Sequence, residues 1–213
     1  MHPIHTMPSR PVQQALFGYA DPLPQGLAYE PGFLAPGDER ELVAAFAALP
    51  FHEARYRNYT AQRRLVRYGA GYESDEDELN ARLPFPDFLV PLRSLIAAWV
   101  AIPAERFAHV LVTEYRPATP LGWHRDAPHF ETVVGVSLAG LCRMRFRPRA
   151  ARDDRKSVVA IDLEPRSVYV MRGPVRWDWE HSIAPTPELR YSVTFRTLRP
   201  ELDAKRAAAQ FSS

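Results

Sequence analysis

A histidine and an aspartate stand two apart in His124-Arg125-Asp126. A second histidine follows at His181, and two arginines six apart complete the series at Arg190 and Arg196. Imidazole and carboxylate groups suit a ferrous ion. Two histidines and one carboxylate hold one face of it and leave the opposite face open for a co-substrate and oxygen. The planar fork of arginine pairs bidentately with carboxylates, so two such arms beside the metal leave room for a small diacid. The His-x-Asp tripeptide alone is weak evidence. The segment Arg190–Arg196, with Tyr191, Val193 and Phe195 alternating, also describes any half-buried strand with charges facing water. The order His-x-Asp, then His, then Arg-x5-Arg favours the chemical reading.

These side chains need a scaffold that returns distant segments to one place. Residues two apart in a strand point to the same side, so His124 and Asp126 can reach one ion from one strand end. Arg190 and Arg196 share a strand face, roughly 20 Å apart at about 3.3 Å per residue. Short strand-like runs recur after Pro103: Phe107–Tyr115, Val133–Leu138, Cys142–Phe146, Ser157–Leu163, Ser167–Met171 and Arg190–Thr197. Such spacing predicts a sandwich or jelly roll, whose crossing strands bring His181 back to the His-x-Asp turn. Earlier, Leu27–Leu34 suggests a first strand. Asp38 can cap a helix through about Leu49, and Asp87 begins a second through about Val100. The segment His52–Tyr72 is strand-like, and residues 73–78 form an acidic turn. The expected class is mainly β with flanking helices (α+β): a jelly-roll core, with the N-terminal helices buttressing one sheet.

The bulk numbers permit one such domain. The chain has 213 residues, 46% hydrophobic, with 27 Lys+Arg against 25 Asp+Glu. This is enough for one core, and the charge balance alone demands no polyanionic partner. A single cysteine, Cys142, excludes a disulfide framework and a cysteine-type zinc site. No apolar run is long enough to span a membrane. The N-terminus lacks a signal-peptide pattern, so a cytoplasmic monomer is expected. Residues 1–25, rich in proline, suggest a flexible arm. Residues 26–200 form the domain, with its chemical core at about 105–199, and 201–213 a tail.

Three stretches together resemble the AlkB family of Fe(II)- and 2-oxoglutarate-dependent dioxygenases. They are Tyr115 upstream of Leu121-Gly122-Trp123-His124-Arg125-Asp126, then Arg176 to Ile183, then Arg190 to Arg196. The resemblance implies a double-stranded β-helix core with Fe(2+) bound by His124, Asp126 and His181. It also implies that 2-oxoglutarate is held by Arg190 and Tyr115, with Arg196 near its other end and the metal, and that O2 is the oxidant. Decarboxylation of 2-oxoglutarate to succinate would then be coupled to hydroxylation of a C–H bond. The family often has asparagine where this chain has Thr113 and Ser192, whose hydroxyls can still hydrogen-bond the cosubstrate.

The arginine- and tyrosine-rich segment from Arg55 to Tyr72 suits phosphate contact and base stacking. In the family this region covers the substrate nucleotide. Arg64, Arg67, Tyr68 and Tyr72 are the candidate substrate contacts, and nucleic acid, single-stranded or with a flipped base, is the expected partner. The expected reaction is oxidative demethylation of alkylated bases in DNA or RNA. Two alternatives stay open: a methylated protein side chain or small metabolite as substrate, and a non-enzymatic jelly-roll binding protein. A second basic strip, Arg143, Arg145, Arg147 and Arg149, fits the outer face of a strand slightly better than a phosphate track.

Overall fold

The computed structural model describes residues 23–56, 59–69 and 84–204. The expected arm up to residue 22, the acidic turn, Tyr72 and most of the tail lie outside these residues.

Among the described residues, eleven strands and three short α-helices follow in chain order. They are β1 (Leu27–Glu30), α1 (Pro36–Ala47), β2 (His52–Tyr56), β3 (Tyr59–Gly69), α2 (Val90–Val100), β4 (Phe107–Tyr115) and β5 (Leu121–His124). Then come β6 (Phe130–Leu138), β7 (Cys142–Pro148), β8 (Val159–Leu163), β9 (Ser167–Met171), α3 (Pro174–Trp177), β10 (Trp179–Ile183) and β11 (Arg190–Leu198). A major sheet has the order β1-β9-β6-β11-β4-β3-β2, and a minor sheet the order β5-β10-β7-β8. All pairings are antiparallel. The two facing sheets with short flanking helices are the expected jelly-roll architecture. No helix among the described residues is long and apolar enough to cross a membrane.

Several boundaries differ from expectation, for local reasons. The first strand stops at Glu30, because Pro31 and Gly32 follow and Gly32 takes a left-handed φ of 65°. The first helix starts at Pro36, whose fixed φ suits the first turn. Asp38 therefore sits inside that turn, where its charge complements the helix dipole, and caps nothing. The second helix is preceded by a 3-10 turn, Asp87–Leu89, and ends on Ala101 in the left-handed region.

Period-two alternation gives the major sheet two unlike buried faces. On the outer face Val110, Val112, Val134, Val136, Val168, Val170, Val193 and Phe195 pack under Leu42 and Phe46 of α1 and Leu92 and Ile96 of α2. Phe46 is fully buried, a contribution of about 1.5–3 kcal/mol. Between the sheets a second cluster gathers Val133, Met144, Phe146, Ile161, Leu163, Met171 and Ile183. All nine residues of β11 are buried, since it lies at the centre of the major sheet. The competing reading of this strand, with its charges facing water, falls away: Arg190, Ser192, Thr194 and Arg196 face the inter-sheet space and are buried. Burying two arginines is costly unless they are paired, which marks this face as the place to look for chemistry.

Candidate active site

The polar face of β11 has a counterpart on each neighbouring strand. On β4 the register partners of Arg190, Ser192, Thr194 and Arg196 are Tyr115, Thr113, Leu111 and His109. On β6, Ser137 stands opposite Ser192 and Gly135 opposite Thr194. Thr113 and Ser192, the two expected cosubstrate hydroxyls, are thus direct cross-strand neighbours, both buried.

Arg190 occupies one end. It is 1% exposed. Its Nε donates to Ser137 Oγ at 2.9 Å, and its guanidinium carbon lies 5.0 Å from the Tyr115 ring centroid. Nη1 is buried and has no acceptor among the described residues. An unmet buried N–H costs about 1–3 kcal/mol, more when charged. A carboxylate beside Tyr115 would meet that donor and neutralise the guanidinium. Burial raises the Tyr115 pKa against the opposing pull of Arg190, so its phenol stays protonated and can donate to the same acid.

Asp126 occupies the other end. The Arg196 guanidinium grips it, with Nε at 3.1 Å and Nη2 at 2.8 Å, both on Oδ1. Oδ2 lies 3.6 Å from His181 Nε2. His181 stands directly opposite His124 in the β10–β5 pairing, and their ring centroids are 4.3 Å apart. His124 Nδ1 lies 2.9 Å from the Gly122 carbonyl. A carbonyl only accepts, so Nδ1 carries the proton and Nε2 keeps its lone pair. Burial, then the neighbouring His124, lowers the His181 pKa to about 3; burial likewise lowers that of His124. Both imidazoles are neutral at working pH, the form that binds metal. Burial would raise the Asp126 pKa, but Arg196, then His181 and His124, outweigh it and hold the carboxyl well below its usual range.

Two neutral imidazoles and one ionised carboxylate are donor types that suit Fe(II). Among the described residues no three such side chains form a preformed metal cluster. What is in place is the pairing of each donor with its neighbour. The expectation that His124 and Asp126 extend from one strand is corrected, since β5 ends at His124. Asp126 belongs to the turn that follows. Arg176, buried in α3, braces that turn: its Nη2 donates to the carbonyls of Ala127 at 2.6 Å and Phe130 at 2.8 Å.

The substrate candidates separate. Arg67 pairs in register with Leu111, on the inner face, and Leu65 between them faces Thr113. Alternation puts Arg63 on this same face, and its charge acts on His124 and Tyr115. Arg64 and Tyr68 lie on the opposite face, which corrects their expected role. Arg64 makes a two-pronged ion pair with the buried Glu114, with both N···O distances at 2.8 Å. Tyr68 is buried in the helix-side core. Arg143 and Arg147 pair with Asp162 and Glu180 on the outer face of the minor sheet. Trp123 lies there too, under the guanidinium groups of Arg145 and Arg147, away from the inter-sheet space. Ser137 and His109 were not legible as site residues, because nothing in their local sequence distinguishes them from ordinary strand positions; Arg176 stands at the head of a stretch that carries the resemblance, with no role assigned to it there.

Comparison with known proteins agrees with this geometry. The sequence model of the 2OG-Fe(II) oxygenase superfamily matches residues 26–196. An uncharacterized protein of Acanthamoeba polyphaga mimivirus is 27% identical over 156 residues, covering 66% of this chain and 72% of that protein. The Arabidopsis thaliana protein named Alkylated DNA repair protein ALKBH8 homolog is 26% identical over 180 residues, 74% of this chain. The match spans half of that longer relative. Among solved structures, that of OsALKBH1 superposes with a TM-score of 0.66 at 15% identity, covering 83% of this chain and all of that one. The chain belongs to the 2OG-Fe(II) oxygenase superfamily, as a dioxygenase of AlkB-like fold that uses Fe(II), 2-oxoglutarate and O2.

Proposed function

We propose that this dioxygenase removes alkyl groups from nucleobases, with His124, Asp126 and His181 holding the iron and Arg190 and Tyr115 seating 2-oxoglutarate. The carrying observation is the buried polar face of β11. One end presents an Arg190 Nη1 without an acceptor, and the other an ionised Asp126 beside two neutral histidines. The two ends match a diacid that must meet an arginine and a metal at once.

Bound iron with 2-oxoglutarate and O2 supplies the oxidising power; the protein supplies placement. Arg190 receives the distal carboxylate, and Tyr115 donates from the adjacent strand. Ser192 and Thr113 line the pocket between. Arg196 fixes Asp126 so that one oxygen remains for the metal. When the carbon hydroxylated is an N-methyl group, the product falls apart to the free base nitrogen and formaldehyde.

The nucleobase assignment rests on the positive rim. Arg63 and Arg67 lie on the inner face of β3, where the charge of Arg63 reaches His124 and that of Arg67 reaches His109, a path that suits a phosphate backbone. The Arabidopsis relative, named as an alkylated DNA repair protein homolog, points the same way. The test is a panel of alkylated oligonucleotides, DNA and RNA, single- and double-stranded, scored by mass loss with and without 2-oxoglutarate. A mass loss of one CH2 unit per methyl group, dependent on 2-oxoglutarate, is the expected result. Succinate release without any change in the panel would sink the nucleobase reading and direct the search to methylated protein side chains or metabolites.

A further inference from the structure

Tyr169, on β9, is a buried phenol that the groups named so far leave unused. Its ring does not stand straight up from its own strand. A Cβ built on Gly135, its register partner on β6, would fall 2.4 Å from Cε1 and Cζ of the ring and 2.5 Å from the hydroxyl oxygen. The far end of the phenol therefore lies across β6, and the missing side chain at Gly135 makes room for it. The next partner beyond Gly135 is Thr194 on β11. The hydroxyl thus approaches the polar face of β11 from the side opposite β4, which carries Tyr115.

The charges of the same pocket act on this phenol. Burial drives its pKa well up; among charges, Arg190 acts most strongly, followed by Asp126. The hydroxyl therefore stays protonated and able to donate, within electrostatic reach of the guanidinium at one end of the pocket and the carboxylate at the other. A larger apolar residue at 135 with a smaller one at 169 would fill the same volume without burying an O–H. A bound acid between Arg190 and Asp126 would offer that hydroxyl a charged acceptor.

We infer that the Tyr169 hydroxyl donates a hydrogen bond to bound 2-oxoglutarate, so that two phenols, Tyr115 and Tyr169, flank the cosubstrate from either side of β11. This rests on the cosubstrate reading of the Arg190 pocket.

The test is calorimetric titration of 2-oxoglutarate into the full chain loaded with Mn(II) in place of Fe(II). It compares the unaltered chain, Tyr169→Phe and the double variant Gly135→Ala/Tyr169→Leu. Tyr169→Phe keeps the ring over Gly135, and the double variant refills the volume without a hydroxyl, so at least one route preserves the core. The expected result is about a tenfold loss of 2-oxoglutarate affinity in both variants, the size of one hydrogen bond to a charged group, with Mn(II) affinity unchanged. Undiminished 2-oxoglutarate affinity in Tyr169→Phe overturns the inference. So does an equal loss of Mn(II) affinity, which would mean that the phenol serves Asp126 instead. If the unaltered chain binds Mn(II) but no 2-oxoglutarate, the cosubstrate reading itself fails.

Discussion

The two hydrogen bonds that the Arg196 guanidinium makes to Asp126 land on the same oxygen, Oδ1, while Oδ2 faces His181 Nε2 at 3.6 Å. The fork divides the carboxylate into a held oxygen and an offered one. Removing such a supporting partner from a metal ligand typically costs 10–100-fold in metal affinity. Arg196→Met should therefore weaken Fe(II) or Mn(II) binding by about that factor. Arg196→Lys should recover only part of it, because an ammonium cannot fork. Asp126→Ala, which removes the carboxylate ligand, should abolish metal binding and turnover. Metal titrations give the answer directly. Full affinity in Arg196→Met would mean that the fork does not set the ligand.

At the opposite end, Arg190 uses Nε on Ser137 and leaves Nη1 for an incoming carboxylate. Arg190→Gln should raise the 2-oxoglutarate concentration needed for half-maximal turnover by about 10–100-fold, in line with a charged hydrogen bond of about 1.5–3 kcal/mol. Metal affinity should hold. Arg190→Lys should fall short of full rescue for lack of the planar fork. A 2-oxoglutarate requirement unmoved by both changes would point to another anchor.

How much of this was legible beforehand depended on what alternation can encode. β4 and β9 ran from first residue to last as expected, because Phe107–Tyr115 and Ser167–Met171 are dense in strand-forming side chains between clear breaks. β5 and β10 were not recognised. The first has only four residues, and Trp179-Glu180-His181-Ser182-Ile183 offers a single β-branched residue, at its end. Yet these two strands set His124 opposite His181, a relationship held in pairing register alone. Alternation likewise separated the two faces of β3 and β11 without saying which face meets the site. Arg64 and Tyr68 were assigned to the wrong side of β3 for that reason, and Arg190 looked as suited to water as to a pocket.

The pH dependence of stability follows from the buried imidazoles. Burial is the first cause that lowers the pKa of His109, His124 and His181, the last to about 3; Arg196 adds to it at His109 and His124 adds to it at His181, while Asp126 opposes it at His124. A histidine held neutral in the fold contributes stability that is fully present above its unfolded value near 6.5 and lost as pH falls toward the folded value. For His181 the window runs from about 6.5 down to about 3, with a slope approaching about 1.4 kcal/mol per pH unit while the unfolded chain binds the extra proton. Asp126, whose pKa is also depressed, adds a loss below the ordinary carboxylate range. Urea midpoints of the metal-free chain should therefore fall steadily from pH 7 to pH 5. The fall should be shallower in His109→Gln, which removes one of these groups outside the proposed metal triad. A midpoint independent of pH over that range would contradict the buried neutral assignment. Added Mn(II) should raise the midpoint across this range, since the folded chain keeps the His181 imidazole neutral at both pH values and only the folded chain presents the donors together.

The two faces of β3 give the nucleic-acid proposal its sharpest discrimination, because neighbouring arginines should behave oppositely. Arg64 neutralises Glu114, a buried carboxylate. Its loss leaves an uncompensated charge, so Arg64→Ala should lower thermal stability, by up to about 3–5 kcal/mol if no other cation takes over. Arg116, already 3.3 Å from the same Glu114, should soften that cost. The salt dependence of oligonucleotide binding should be unchanged in this variant. Arg63 and Arg67 lie on the inner face. Replacing both with alanine should leave the helix-side core intact, weaken binding to all oligonucleotide sequences alike, and reduce the slope of log affinity against log salt by about two. Fluorescence anisotropy at several salt concentrations, beside a melting curve for each variant, resolves the two behaviours. A salt slope that changes for Arg64 and not for the Arg63/Arg67 pair would place the polyanion on the helix side of the sheet, where the proposed chemistry cannot reach it.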